Sequence, residues 1–143
     1  MSLPIEPCFT PKEGLFCAGM PTEAALAESQ QKGVKTVINL ATSKELSFDE
    51  EAVVKALGMQ YFHFPIAGAD DFTPDTCRAF KALLDKAEQP VLLHCGTSNR
   101  VGAMLAAVAY HCEGAELEAA LSLGRDSGLT RLEGPLRQCL CGE

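Results

Sequence analysis

Residues 90–105, PVLLHCGTSNRVGAML, constrain the fold of this chain more than any other segment. An apolar run of strand length ends on Cys95. A short loop of small and polar residues follows, then Arg100, then a stretch apolar on nearly every side and long enough for a helix. Strand, loop and helix in that order aim the loop's backbone N–H groups at one point, the positive end of the helix dipole. Such a nest holds an oxyanion. A cysteine at its mouth feels that field and the guanidinium of Arg100, and both favour thiolate over thiol. Singly, a cysteine closing a buried strand is most often an inert hydrophobe. Here His94-Cys95, four small or polar residues, Arg100 and then Gly102-Ala103 combine a nucleophile with an anion cradle.

The remaining elements fit around this segment. Residues 15–17 make a short strand, and Pro21-Thr22 opens a helix to Gln31, with Thr22 able to cap it and Gly33 ending it. Residues 36–40 are a β-branched, apolar strand, 41–48 a polar loop, and 49–57 a helix stopped at Gly58. Residues 60–66 form the next strand, and 67–72 a loop containing Asp70 and Asp71. Thr73-Pro74 reads as a cap followed by proline at the first helical position, with the helix running to about residue 87. Residues 90–94 are the central strand, 100–111 a buried helix, and 115–123 and 129–140 the C-terminal helical half. Residues 4–12, with three prolines, read as irregular. Strands alternating with helices imply an α/β fold: one domain over residues 1–143, with a parallel or mainly parallel sheet of about four strands covered on both faces. In such sheets ligands bind at the carboxyl ends of the strands, where Cys95 stands.

The loop resembles the signature of the cysteine-based phosphatases, in which His-Cys, five residues and Arg cradle a phosphate. It is more closely similar to a bacterial branch of dual-specificity-phosphatase-like domains, found alone or joined to NAD kinase or β-lactamase-like hydrolase domains. Residues 16–22 (FCAGMPT) and 33–40 (GVKTVINL) resemble that branch's opening strand, helix and second strand. Residues 57–66 (LGMQYFHFPI) resemble its third strand, and Ser127-Gly128-Leu129-Thr130 a turn near its end. Two departures stand out. Only four residues separate Cys95 from Arg100, the loop length of rhodanese-type sulfurtransferases. Val101 follows the arginine where phosphatases usually carry a serine or threonine that helps the thiolate leave.

The chemistry asks for named parts. For the phosphatase that the resemblance implies, Cys95 would attack phosphorus and form a phosphocysteine. Arg100 holds two oxygens through its planar fork. The N–H groups of Gly96, Thr97, Ser98, Asn99 and Arg100 take the rest of the anion, and Thr97 or Ser98 is a candidate for the hydroxyl that Val101 lacks. His94 faces away from the ligand and fixes the loop. Asp70 and Asp71 are the candidate general acids, on the loop where related phosphatases carry theirs, although Gly68 falls at the family's own position. Glu45, after another strand, is a candidate anchor for Arg100.

A net charge of −7 disfavours nucleic acid and anionic membranes as partners. Hydrophobic content of 47% with 22% charge is globular, and no apolar run reaches the length of a membrane span. Seven cysteines, an odd number, without a secretory signal imply a reducing cytoplasm. No grouping has metal-ligand spacing and no Gly-rich nucleotide loop occurs, so neither metal nor cofactor is expected. Three readings follow: a phosphatase acting on a phosphorylated protein or small phosphorylated metabolite, a sulfurtransferase carrying a persulfide on Cys95, and a non-catalytic oxyanion-binding or phosphoprotein-binding module. The oligomeric state is left open.

Overall fold

Three strands are buried on both faces, and they form the middle of the sheet. These are β2 (Leu15–Ala18), β3 (Thr36–Asn39) and β5 (Val91–His94). Near-continuous apolar composition is what a strand covered on both sides requires. β5 lies between β2 and β3 and runs parallel to both, with Cys17 opposite Leu93 and Ile38 opposite Leu93. β4 (Gln60–His63) adds to β3 in parallel as one edge, and β1 (Cys8–Lys12) pairs antiparallel with β2 as the other. The order is β1-β2-β5-β3-β4 in a computed structural model that describes residues 3–141, without the side chain of Cys141.

The sheet therefore has five strands, not about four, and residues 8–12 are not irregular. The prolines conceal the extra strand. Pro11 sits where the β1–β2 register shifts between Phe9 and Lys12, and a residue that cannot donate to the ladder is tolerated only at such an edge or bulge.

Alternate residues of each strand point to opposite faces. On one face Phe16, Val37 and Leu92 pack with Leu26 of α1 (Glu23–Gln31) and Val54 of α2 (Glu50–Ala56). On the other, Cys17, Ile38 and Leu93 pack with Phe80 of α3 (Pro74–Lys86) and Met104 of α4 (Asn99–Cys112). Leu121 of α5 (Leu117–Asp126) and Leu136 of α6 (Glu133–Cys141) complete that core. α4 is buried almost all round, as its composition demands. The two caps read from the sequence are made, Thr22 Oγ1 accepting from Ala25 N and Thr73 Oγ1 from Thr76 N; Asp49, read as the first residue of its helix, instead caps α2, its Oδ1 accepting from Ala52 N. None of the described helices is long and apolar enough to cross a membrane.

Candidate active site

Parallel strands send their following loops to the same end of the sheet, so the segments after β2, β3, β4 and β5 converge around Cys95. After β2, the Ala18 carbonyl accepts from Cys95 N (3.2 Å), and Met20 N donates to the Gly96 carbonyl (3.1 Å). After β3, Leu40 N donates to the His94 carbonyl (2.8 Å), and a 3₁₀ turn at Ser43–Glu45 brings Glu45 to Arg100. After β4 comes Ile66. Cys95 is fully buried at the centre of this convergence.

Arg100, five positions on from Cys95, is held by three hydrogen bonds. Its Nη1 donates to Glu45 Oε2 (2.8 Å) and to the Ile66 carbonyl (2.9 Å), and its Nη2 to Glu45 Oε1 (2.5 Å). The paired fork fixes the guanidinium plane, which a lysine cannot do. Glu45 is itself braced, its Oε2 accepting from the N–H and hydroxyl of Thr42 (both 2.8 Å). The Arg100 hydrogen bonds, foremost among these contacts, lower the Glu45 carboxyl to about 2. Arg100 is raised above its ordinary value by Glu45 first, and also by the nearby Cys95 sulfur. The carboxylate thus keeps Arg100 beside the cysteine and fully charged.

His94, the last residue of β5, points to the face that carries α2, whereas Cys95 just beyond the strand packs in the core of the other face. Its Nε2 lies 2.6 Å from Glu50 Oε2 and its Nδ1 3.3 Å from the Cys95 carbonyl. His94 and Glu50 are both buried. Glu50 was not legible as a partner in the sequence: it occupies the first turn of α2, where acidic residues are ordinary, and 44 residues separate it from the histidine.

Two of the loop side chains have structural employment. Ser98 takes a left-handed backbone (φ 68°), and its buried hydroxyl donates to the Ser127 carbonyl (2.7 Å). Ser98 is thus no free hydroxyl for the cysteine, and of the two candidates the exposed Thr97 remains. Asn99 Oδ1 accepts from Thr130 N (2.8 Å) and Leu132 N (3.3 Å), so its side chain turns to the C-terminal turn and not to an anion. That turn must approach closely. A Cβ on Gly128 (φ 115°) would stand 2.5 Å from Ser98 Cβ, and one on Gly102 2.3 Å from Leu129 N. Among the described residues, the N–H groups of Gly96, Thr97 and Asn99 donate to no backbone acceptor.

An open cleft of about 490 Å³ is lined by Glu45, Ala67, Asn99, Arg100, Arg131 and Leu132. Asp70 and Asp71 are not among these residues. Asp71 Oδ2 accepts from Ala67 N (2.7 Å) and Gly68 N (3.3 Å), closing its own 3₁₀ turn at Ala69–Asp71. Asp70 is exposed on the same turn. Arg131, on the wall of the cleft, had no sequence signal beyond its place after the Ser127-Gly128-Leu129-Thr130 turn.

The profile of the family described as beta-lactamase hydrolase-like protein, phosphatase-like domain, matches residues 13–110, which include the whole cysteine loop. The chain belongs to this family. A comparison with curated protein sequences gives no match. Several solved structures share the fold of this phosphatase-like domain. A putative phosphatase from Neisseria meningitidis is 23% identical with a TM-score of 0.73, over 90% of this chain and 94% of its own. Tk-PTP in its active form is 20% identical with a TM-score of 0.71, over 95% and 97%. Pseudomonas aeruginosa TpbA in complex with pTyr is 21% identical with a TM-score of 0.55, over 94% and 88%. Family and fold together support a phosphatase function for the domain.

Proposed function

We propose that this phosphatase-like domain hydrolyses phosphoric monoesters through Cys95. The observation that carries the reading is the clamp on Arg100: Glu45 and the Ile66 carbonyl hold a fixed, charged guanidinium beside the buried Cys95 sulfur. In the reaction the Cys95 thiolate attacks phosphorus, a sulfur–phosphorus bond forms and the ester oxygen leaves with a proton. Water then attacks the phosphocysteine, releasing inorganic phosphate and restoring the thiolate. Arg100 and the amides of the 96–100 loop bind the equatorial oxygens as their charge grows. Asp70 is assigned the proton to the leaving oxygen, because Asp71 is committed to the amides of its own turn. The substrate is a phosphorylated protein or a small phosphorylated metabolite; TpbA, of the same fold, is described with pTyr bound. A reducing, cytoplasmic setting, expected from the odd number of cysteines, is part of this reading.

The test sets an aryl phosphate beside thiosulfate with cyanide. Release of phosphate that is abolished by Cys95→Ser and reduced about 10²–10³-fold by Arg100→Lys supports the reading. Sulfur transfer without phosphate release would make the four-residue loop that of a sulfurtransferase. Neither turnover, with inorganic phosphate still bound, would make the domain an oxyanion-binding module.

A further inference from the structure

The chain has five arginines, and four of them grip a carboxylate: Arg78 with Asp75, Arg100 with Glu45, Arg125 with Glu133, and Arg137 with Glu118. Arg131 alone has no ion pair among the described residues. It is exposed, yet its backbone is fixed, because the residues on either side of it, Thr130 and Leu132, both donate to Asn99 Oδ1. Asn99 is the neighbour of Arg100 in α4. One side chain therefore sets the spacing between the two arginines, and both line the same open cleft. Among the described residues the single acid in that lining is Glu45, already engaged by Arg100. In a protein of net charge −7 the cleft thus retains one cation, Arg131, with no acidic partner among the described residues. Among the described residues no aromatic ring lines the cleft to stack on a phenol.

We propose that Arg131 is a second anion subsite beside Arg100, and that the preferred substrate is a small, non-aromatic phosphate ester carrying a second anionic group. The proposal rests on the phosphatase reading for the first phosphate. Arg131 touches the substrate's tail and sets specificity, while Arg100 and the loop hold the reacting phosphate.

The pair of esters 3-phosphoglycerate and glycerol 3-phosphate differs at the tail by a carboxylate in place of a hydroxymethyl group. The parent should favour 3-phosphoglycerate in kcat/KM by about tenfold, the worth of one charge-assisted hydrogen bond. In Arg131→Ala that ratio should fall to near one, and in Arg131→Lys most of it should persist. The ratio does not depend on the fraction of active protein, so a partly folded variant still answers. A parent without preference, or a preference that survives Arg131→Ala, overturns the subsite. Calorimetric binding of both esters to Cys95→Ser separates the two levels. An Arg131-dependent preference in binding with no turnover by the parent would uphold the subsite and reject the phosphatase. Binding of neither ester would reject both.

Discussion

His94 Nε2 and Glu50 Oε2 face each other at 2.6 Å, with both side chains sealed from solvent behind the strand end that carries Cys95. Glu50 Oε1 has no hydrogen-bond partner among the described residues. Burying a carboxyl group with one oxygen unpartnered is costly, and among the described residues the histidine offsets that cost. The pair joins α2 to the carboxyl end of β5 and, through His94 Nδ1, to the Cys95 carbonyl.

Removing one member of such a pair leaves the other stranded. Glu50→Ala should lower stability by about 3–5 kcal/mol in urea unfolding. Glu50→Gln retains an oxygen acceptor toward the ring and should cost clearly less. Equal, small losses in both variants would show that the pair does not hold the strand end.

The Glu45 carboxyl is depressed to about 2 by its hydrogen bonds to Arg100. A group depressed on folding stabilises the native state above its unfolded value, near 4.5 here, and that contribution disappears as pH falls toward 2. The difference in thermal midpoint between the parent and Glu45→Gln should therefore be largest at pH 5 and above and shrink steadily below it. A difference that stays constant from pH 5 to pH 2 would mean that Glu45 is not charged against Arg100. At neutral pH, Glu45→Gln should also raise KM for an aryl phosphate, because the guanidinium loses its fixed plane.

Gly128→Ala tests the brace beneath the loop. The positive φ costs a non-glycine residue about 1–2 kcal/mol, and a methyl 2.5 Å from Ser98 Cβ adds about 1–3 kcal/mol of overpacking. Ser98 must shift, and the loop amides with it. Lower stability should thus come with lower kcat. Full activity in a destabilised variant would show that Ser98 does not transmit the displacement.

Asp70→Asn should slow cleavage of an alkyl phosphate by about 10²–10⁴-fold and that of p-nitrophenyl phosphate much less, since only the poor leaving group needs a proton. Asp71→Asn weakens the turn through Ala67 and Gly68 and should affect both substrates alike. Reversal of these patterns would move the acid to Asp71. Parent-like cleavage of the alkyl ester by both would remove it from this turn.

Val101 is fully buried in the core under the loop. Without a hydroxyl there, hydrolysis of the phosphocysteine should be the slow step, so an activated aryl phosphate should give a burst near one leaving group per site. Val101→Ser should raise the steady rate, leave the burst rate unaltered and lower stability by about 1–3 kcal/mol through the buried hydroxyl. If Thr97 already serves, the parent shows no burst and Thr97→Ala gains one.

Local patterns carried a large part of this protein. The run from Val91 to Arg100 announced a buried strand, a small-residue loop and a helix start, because those features reside in consecutive side chains and in periodicity. The caps at Thr22 and Thr73 were legible for the same reason. The β1 strand was not, since prolines mask strand character and its pairing with β2 is a contact with another segment. Glu45 was found because it follows a strand whose end had to lie near the loop. Glu50, the grip of Ser98 on Ser127 and the hold of Asn99 on Thr130 and Leu132 join residues 44, 29, 31 and 33 positions apart. No spacing rule covers them. Sequence determined which residues have the chemistry to bind an oxyanion; the parallel sheet decided which of them meet. Its strands deliver their following loops to one end, where partners far apart in sequence, such as Arg100 with Glu45 and Asn99 with Thr130, come within hydrogen-bond reach.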